Sequence, residues 1–415
     1  MNRLSVFIAA VLLCCQQFAA AQTLLLRNAT VHSMTAAGVQ TGQDVLLRDG
    51  RIVAIGGGLD APTGAAIIDA RGKPLTPALF AGITALGLNE VNMVRPSVDS
   101  GVTQVGAPAM RPEFTVIPAY NPHSSLIPIT RIEGFGFSVL GATAAGSIIG
   151  GQGRAVMLDG GYDSFVGEPL LFVALGEGAS ALAGGSRAAQ WMLLEQAVGE
   201  SRSAPRAGDN ALLTREGRAA MKQFLRNGTI VFSVNRASDI RQVLRFAERH
   251  GFKAVIEGGA EAWMVADELA AAEVPVLLDP LQNLPDNFDL LGARLDNAAM
   301  LQAAGVTIGF SGAGTHHARK LRQMAGVAAA NGLDHSAALA ALTINPARIF
   351  GLPGGRIEVG APADLVLWSG DPLEVSESAD QVILGGKLQP MESRQTRLRD
   401  RYLTRNPELP RAYLK

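Results

Sequence analysis

The hydrophobic pattern near the start of the chain is typical of β-structure. Residues 24–34 are mostly apolar with polar breaks, and residues 45–55 form a second apolar run. Within that second run, Asp49 and Gly50 separate two apolar halves. Two apolar runs on either side of Asp-Gly are a strong local signal for a hairpin, so we predict a tight turn there.

The pattern changes between about residues 76 and 349, where short β-like runs alternate with longer helical ones. The predicted strands are residues 229–234, 253–256, 274–278 and 306–310. The predicted helices are residues 237–250, 261–272 and 318–331. Strict alternation of strand and helix indicates parallel βα units, and their number favours a closed barrel over an open sheet.

The last part of the chain returns to β-like runs at residues 364–368 and 381–384. These strands could pair with the early ones to form one small β-sandwich from both chain ends. The tail, residues 391–415, is polar and basic, and we expect a solvated helix there rather than a docking patch. The predicted organisation is a signal peptide (1–21), a composite β-sandwich (22–75 plus 350–390), a barrel (76–349) and a C-terminal tail (391–415).

The first residues have the features of a signal peptide. Arg3 precedes an apolar run over residues 4–15, which is too short to span a bilayer, and residues 19–21 form an A-x-A cleavage site. We therefore expect an exported, periplasmic protein that begins at Gln22. A lipoprotein anchor through Cys14 or Cys15 is the less favoured alternative, because bulky residues stand where that signal requires a small one. Both cysteines lie in this segment, so the mature protein would have no thiol.

The composition is that of a globular protein with a sizeable core. Of the 415 residues, 48% are hydrophobic and 18% are charged, and the formal net charge is −1. Because the chain carries no excess of positive charge, we expect neither nucleic acid nor, after signal cleavage, a membrane as a partner.

Several segments of the chain carry recognisable motifs. Residues 340–372 contain T-x-N-P-A followed by G-x-I-x-x-G-x-x-A-D-L-V. These motifs resemble the C-terminal signature of the imidazolonepropionase-like group of the amidohydrolase superfamily. Further similar segments are residues 72–86, 121–134, 233–262 and 317–321. The resemblance implies a TIM-like (β/α)8 barrel with a composite β-sandwich formed by both chain ends. It also implies hydrolysis of C–N bonds by one or two divalent metals such as zinc, at the C-terminal ends of the barrel strands.

The positions that hold metal ligands in this family carry other residues here. The family's first strand supplies two histidines that are separated by one residue. Its fifth and sixth strands supply one histidine each, and its eighth strand supplies an aspartate. The matching positions in this chain are Ile83, Ala85, Ser233, Gly258 and Gly312. We therefore expect a degenerate site that binds no metal cofactor.

Few histidines remain to replace the missing ligands. His316 and His317 follow the eighth strand at the barrel mouth, but neighbours in an extended chain point in opposite directions, so a metal site using them is a minor alternative. His123 also remains. We expect His32, His250 and His335 to be surface or capping residues.

Polar residues at the strand ends could still converge on one rim and bind a small polar ligand. These candidates are Asn235, Arg236, Glu257, Asp279, His316 and His317. The alternative is structural: Asn235 would cap a loop, Arg236 and Asp279 would pair, and Glu257 would accept backbone amides. Glu261 and Asp267 fall on a predicted helix, where we expect both to be solvated.

The sequence leaves three interpretations of function open. The chain could be a periplasmic pseudoenzyme that binds a ligand, or that partners an active amidohydrolase relative or a second copy of itself. It could be a working amidohydrolase with an altered or metal-free site, acting on a small amide or peptide-like substrate. It could also be a structural scaffold.

Overall fold

The structure is a computed structural model that describes residues 23–103, 109–206, 208–312 and 314–403. The predicted signal peptide, Gln22 and the last part of the tail lie outside these ranges. Within them, no helix has both the length and the apolar character needed to cross a bilayer.

Both chain ends contribute to one eight-stranded sheet. Its strands, numbered in chain order, are β1 (Leu24–His32), β2 (Val39–Arg48), β3 (Arg51–Gly56), β4 (Ala66–Asp69), β5 (Pro74–Pro77), β14 (Leu365–Trp368), β15 (Ala379–Leu384) and β16 (Lys387–Leu388). They lie in the order β16-β15-β14-β5-β1-β2-β3, with β4 beside β1. The predicted hairpin is confirmed: Asp49 and Gly50 join β2 to β3, with φ of 51° and 75°. Positive φ at both central residues is the geometry that Asp-Gly favours in a two-residue turn.

The middle of the chain forms a second eight-stranded sheet, which curls into a nearly closed barrel. Its strands, in spatial as well as chain order, are β6 (Leu79–Thr84), β7 (Phe135–Leu140), β8 (Ile149–Met157), β9 (Phe165–Ala174), β10 (Thr229–Val234), β11 (Lys253–Gly258), β12 (Val276–Leu278) and β13 (Ile308–Phe310). The predicted fold, a TIM-like barrel with a composite β-domain from both chain ends, is thus confirmed.

The predicted strict alternation of strand and helix is wrong for one part of the barrel. Strand β8 runs antiparallel to both β7 and β9, whereas the other neighbours are parallel. The connections on either side of β8, residues 141–148 and 158–164, are short. Since a parallel crossover needs a dozen or more residues, these lengths allow only a reversal of direction.

The helices lie mainly between the barrel strands and after them. They are α1 (Leu126–Arg131), α2 (Arg187–Arg202), α3 (Arg215–Asn227), α4 (Ala237–His250), α5 (Ala266–Ala271), α6 (Asn297–Ala303), α7 (Leu321–Ala330), α8 (His335–Ala341), α9 (Ile344–Ile349) and α10 (Arg394–Leu403). The strand predicted at residues 229–234 and the helix predicted at 237–250 match β10 and α4. Helix α10 buries none of its residues, as expected for a solvated tail.

A buried tryptophan joins the β-domain to the barrel. Trp368 on β14 is fully buried, and its Nε1–H donates to Thr76 Oγ1 at 2.9 Å. Arg322 of α7 lies over the indole, 5.3 Å from the ring centroid. Gly134, just before β7, approaches so closely that a Cβ there would lie 2.2 Å from the ring. The indole therefore fixes the position of the β-domain against the first two barrel strands.

We predict that Trp368→Ala destabilises the protein by about 3–5 kcal/mol, because it leaves a large cavity in the interface and removes the hydrogen bond that the Thr76 hydroxyl accepts. Urea denaturation of the full chain measures this change. Tyr162→Ala, at a tyrosine that is 64% exposed, is the matched control and should change stability by less than about 0.5 kcal/mol. Similar effects of the two substitutions would contradict the role assigned to Trp368.

Candidate functional site

A buried carboxylate lies where two neighbouring barrel strands end. Strands β10 and β11 pair in parallel with Ser233 opposite Glu257. Side chains alternate between the two faces of a strand, so residues in register on neighbouring strands share a face. Ser233 Oγ accordingly donates a hydrogen bond to Glu257 Oε2 at 2.7 Å.

A second serine reaches the same carboxylate from the last barrel strand. Ser311, directly after β13, donates from Oγ to Glu257 Oε1 at 3.3 Å. The same Oγ accepts the backbone N–H of Ile83 on β6 at 3.1 Å. Because Ile83 belongs to the first strand and Ser311 follows the last, this hydrogen bond helps to close the barrel next to Glu257.

The electrostatics of Glu257 are set by its burial. Protein surrounds the side chain, although part of its surface stays open to the cavity above it. Burial raises the pKa of the Glu257 carboxyl above its ordinary value, because an ionised group loses water there. The hydrogen bonds from Ser233 and Ser311 act in the opposite direction and lower the pKa, but burial is the larger cause.

A cavity opens above Glu257 and divides into two chambers. The first chamber has a volume of about 460 Å³, and the second about 360 Å³. Residues that line the first include Thr84, Asn89, Ser100, Thr143 and Phe172. Residues that line the second include Asn235, Asp279, Gln282, Asn287 and Asp289. Ala174, Ser233 and Glu257 line both. The carboxylate therefore lies where the two chambers meet.

The structure places the predicted ligand positions in two groups. Ile83, Ala85 and Ser233 line the first chamber. Gly258 and Gly312 line the second chamber, where a Cβ at Gly258 would lie 2.5 Å from Asn235 Oδ1 and one at Gly312 would lie 3.1 Å from the sulfur of Met324.

At the ends of β11 and β13, the side chains that meet in the interior are Glu257 and Ser311, each one residue earlier than the glycine that the resemblance indicates. Glu257 is one of the predicted rim candidates, whereas no sequence pattern predicts the role of Ser311.

The donor set at these strand ends does not fit a zinc centre. It consists of one carboxylate and two hydroxyls, whereas zinc sites use imidazole, thiolate and carboxylate ligands. Across the ranges that the structure describes, no three His, Cys, Asp or Glu side chains are grouped to hold a metal ion. That the protein uses no cofactor at all stays a prediction.

The rim candidates are only partly brought together. Asn235 and Asp279 line the second chamber with Glu257. Asn235 also accepts the backbone N–H of Ala260 at 3.4 Å, which agrees with the structural alternative for that residue. Arg236 is exposed at the start of α4, and its pairing with Asp279 stays a prediction. Glu257 accepts serine hydroxyls, rather than the backbone amides of the structural alternative.

The two neighbouring histidines do not have the predicted geometry. His316 and His317 lie in a 3-10 helix, Thr315–Lys320, instead of an extended segment. Their ring centroids are 3.9 Å apart, so the expectation that they point in opposite directions is wrong. Desolvation lowers the pKa of His317, and repulsion by His316 adds to this. The described lining of the two chambers includes Thr315 but neither histidine.

The remaining histidines lie away from the cavity lining. His335 is exposed at the start of α8 and contacts Asp371 at 2.9 Å, as expected for a surface residue. His250 packs against Phe246 and contacts Glu195 at 3.2 Å. His123 is exposed and makes an edge contact with Tyr162.

A partly buried ion-pair cluster, which no sequence pattern predicted, supports the second chamber. Arg187 of α2 pairs with Asp239 at 3.2 Å and with Asp289. Asp289 also accepts the backbone N–H of Glu177, which ties its loop to the end of β9. Burial raises the pKa of Asp239, although Arg187 acts to lower it.

Glu261 supports the same loop from the other side, and the prediction that it is solvated is wrong. Its side chain is 8% exposed. It accepts the backbone N–H of Ala237 at 3.0 Å, at the start of α4, and that of Gly292 at 3.1 Å. A carboxylate is stable there because the first N–H groups of a helix lack partners within the helix. Asp267 is exposed, as expected.

We predict that Glu257→Gln stabilises the protein at about pH 8, by about 1 kcal/mol, the size typical of a change in a buried polar group. Because the folded-state pKa is raised, the unfolded chain loses its proton first as pH increases, so this carboxyl costs stability above the unfolded pKa. The difference between variant and wild type should shrink towards about pH 4, where both states keep the proton.

Thermal unfolding between these pH values tests this prediction. Glu248→Gln, at an exposed glutamate of α4, is the matched control and should show no such pH-dependent difference. A Glu257→Gln variant that is less stable than wild type at the higher pH would show that the carboxylate is stabilised where it lies.

Comparisons with known proteins agree with this architecture. A sequence model of the amidohydrolase family matches residues 302–389. The amidohydrolase tasK of Hapsidospora irregularis is 40% identical over 89 residues, which cover 20% of this chain. The match covers only 9% of the length of that curated relative.

Solved structures extend the similarity along the chain. An amidohydrolase from Thermotoga maritima matches with a TM-score of 0.78 and 26% identity, over 88% of this chain and 99% of that one. An N-isopropylammelide isopropylaminohydrolase from Burkholderia multivorans has a TM-score of 0.53 at 16% identity, over 90% of this chain and all of its own. A zinc-bound adenosine deaminase from Xanthomonas campestris has a TM-score of 0.52 at 18% identity, over 92% of this chain and 98% of its own. These last two show a common fold only. The sequence model and the Thermotoga structure thus show that the chain is similar to amidohydrolases, in sequence over residues 302–389 and in structure over most of its length.

Proposed function

We propose that this chain keeps the amidohydrolase fold, has lost metal-dependent hydrolysis and binds a small polar ligand at the barrel mouth. One observation carries the proposal. At the ends of β10, β11 and β13, the side chains that meet are one carboxylate, Glu257, and the two serines that hydrogen-bond to it. This donor set suits the binding of a polar group better than that of a divalent ion.

The energetic consequence for hydrolysis is large. Amidohydrolases normally use divalent metals, and a metal can lower the pKa of water from about 16 to about 7. That shift corresponds to about 12 kcal/mol in the free energy of forming hydroxide. This figure is an upper bound on the catalytic contribution that a chain without the metal loses. A carboxyl group acting as general base contributes roughly 10²–10⁴-fold in rate, which recovers only part of it.

The dimensions of the cavity support ligand binding. The chambers, of about 460 and 360 Å³, fall in the range typical of small-molecule sites. Their lining combines small apolar side chains with hydroxyls, amides and carboxylates, which can orient a polar ligand. A purely structural scaffold would need no such cavity, so we favour a binding role.

A second candidate is a metal-free hydrolase, and one observation favours it. The hydroxyl of Ser233 lies 2.7 Å from a carboxylate whose pKa burial raises, and a general base is most effective when its pKa is near the working pH. Turnover of a small amide that withstands chelators and disappears in Ser233→Ala would favour this candidate over the pseudoenzyme.

We also propose that the protein is exported to the periplasm, and that it acts there alone, as a homo-oligomer or beside an active amidohydrolase relative. The charged start, the short apolar run and the A-x-A tripeptide of the N-terminal segment support export. The poor fit of Glu257 and the two serines to a metal is consistent with an active partner, because a chain without its own metal centre can still bind a ligand and present it to another protein.

The purified mature chain should contain well under one zinc per molecule after incubation with zinc and removal of the excess, because the strand-end donors fit zinc poorly. Elemental analysis by mass spectrometry measures this. The zinc-bound adenosine deaminase of Xanthomonas campestris is the positive control for the procedure.

Stoichiometric zinc, together with amide hydrolysis that stops on chelation, would overturn the proposed function. The variants Glu257→Ala, His316→Ala and His317→Ala would then show which side chains hold the ion.

Expression in a bacterial host with the native N-terminus tests the proposed export. We expect the periplasmic fraction to contain a chain that begins at Gln22, because cleavage follows the A-x-A site. Intact-mass measurement would identify it. A full-length chain confined to the cytoplasm would contradict this, and a lipid-modified chain beginning at Cys14 or Cys15 would replace it with a membrane anchor.

A further inference from the structure

The hydrogen bonds around Glu257 restrict which chemical groups of a ligand can bind there. Ser311 Oγ already accepts the N–H of Ile83, so its proton is directed to Glu257 Oε1. Ser233 Oγ gives its proton to Oε2. When Glu257 is ionised, both hydroxyl protons are therefore used, and the three side chains present only lone pairs to the cavity. A ligand that binds them has to be a hydrogen-bond donor.

The charges around the cavity also favour a hydrogen-bond donor as the ligand. The charged residues that line it, over the part of the chain that the structure describes, are Glu257, Asp279 and Asp289. Arg187 pairs with Asp289 but does not line either chamber there. At Glu257 itself, the neighbouring groups that act on the carboxyl are two neutral hydroxyls. A positively charged donor is therefore favoured over a neutral one, and an anion is disfavoured.

We propose that the cavity takes a ligand with a protonated amine, which donates hydrogen bonds to Glu257 and Ser233 at the junction of the two chambers. This inference rests on the proposed ligand-binding function and adds the chemical class of the ligand. The amine has three donors, and the oxygens of Glu257 and Ser233 can accept them without disturbing the bond from Ile83 to Ser311.

The first chamber indicates the nature of the rest of the ligand. Apart from Glu257 its lining is uncharged, with Phe172, small aliphatic side chains and the polar residues Asn89, Ser100 and Thr143. An uncharged body with an apolar face fits there, while the amine stays beside Glu257. A ligand with a carboxylate close to its amine would bring negative charge towards the carboxylates of the second chamber.

Three probes that share one carbon skeleton and differ in charge test the inference on the full mature chain. The probes are cyclohexylmethylamine, cyclohexylmethanol and cyclohexanecarboxylate, in a phosphate buffer that contains no competing amine. Titration calorimetry and thermal shift should show binding of the amine that is roughly tenfold or more tighter than that of the alcohol, the contribution of a charge-assisted hydrogen bond. The carboxylate should bind weakest of the three.

Variants locate the binding. Glu257→Gln keeps the shape of the side chain but removes its charge, and Ser233→Ala removes one acceptor. Each variant should bind the amine roughly tenfold or more weaker than wild type, whereas its affinity for the alcohol should be nearly unchanged. Glu248→Gln on α4 is the control outside the cavity and should bind like wild type. Circular dichroism establishes that each variant is folded, and Ser233→Ala serves as the test if Glu257→Gln is not.

The outcomes separate this inference from the function on which it rests. Amine binding that is absent, or that both cavity variants leave unchanged, overturns the inference. Preferential binding of the alcohol or the carboxylate also overturns it while leaving a ligand-binding cavity in place. Hydrolysis that requires a stoichiometric metal would instead overturn the proposed function, whatever the probes show.

Discussion

The candidate site depends on one hydrogen bond between neighbouring parallel strands. The register of β10 and β11 places Ser233 directly opposite Glu257, and their 2.7 Å contact holds the carboxylate at the centre of the cavity. A shift of one residue in that register would send the carboxylate to the helix-covered face. The hydrogen bonds through Ser311 to Ile83 extend the same arrangement to the first and last strands. The closure of the barrel and the position of its buried charge are thus parts of one network.

The rest of the fold keeps this network in place. Trp368 and Arg322 pack at the interface between the β-domain and the first barrel strands. This packing limits movement of β6, the strand that carries Ile83. Arg187 and Glu261 hold the loop of residues 286–292 beside the second chamber, through ion pairs with buried carboxylates and through backbone hydrogen bonds. These contacts favour a preformed site over one that assembles around its ligand.

Local sequence signals predicted those elements whose structure is decided locally. Residues 229–234 and 237–250 match β10 and α4, because β-branched residues and an amphipathic period give clear signals. The direction of β8 was missed because residues 149–157 are rich in glycine and give no period, and only the short connections exclude a crossover.

Contacts between distant residues could not be predicted in this way. The solvated role expected for Glu261 followed from helix periodicity, whereas its burial follows from the unpaired N–H groups of α4. Ser311 carries no motif, and its contact with Glu257 depends on barrel closure.

The proposed loss of metal binding and the proposed preference for an amine both follow from one difference in charge. A metal centre places two positive charges beside its carboxylate ligands, so those carboxylates ionise readily. Glu257 has only serine hydroxyls as neighbours that lower its pKa, and burial keeps that pKa high. The site therefore lacks positive charge at the point where the chambers meet. A bound ammonium group would supply it and stabilise the ionised carboxyl, whereas a neutral ligand would leave the cost of burial uncompensated.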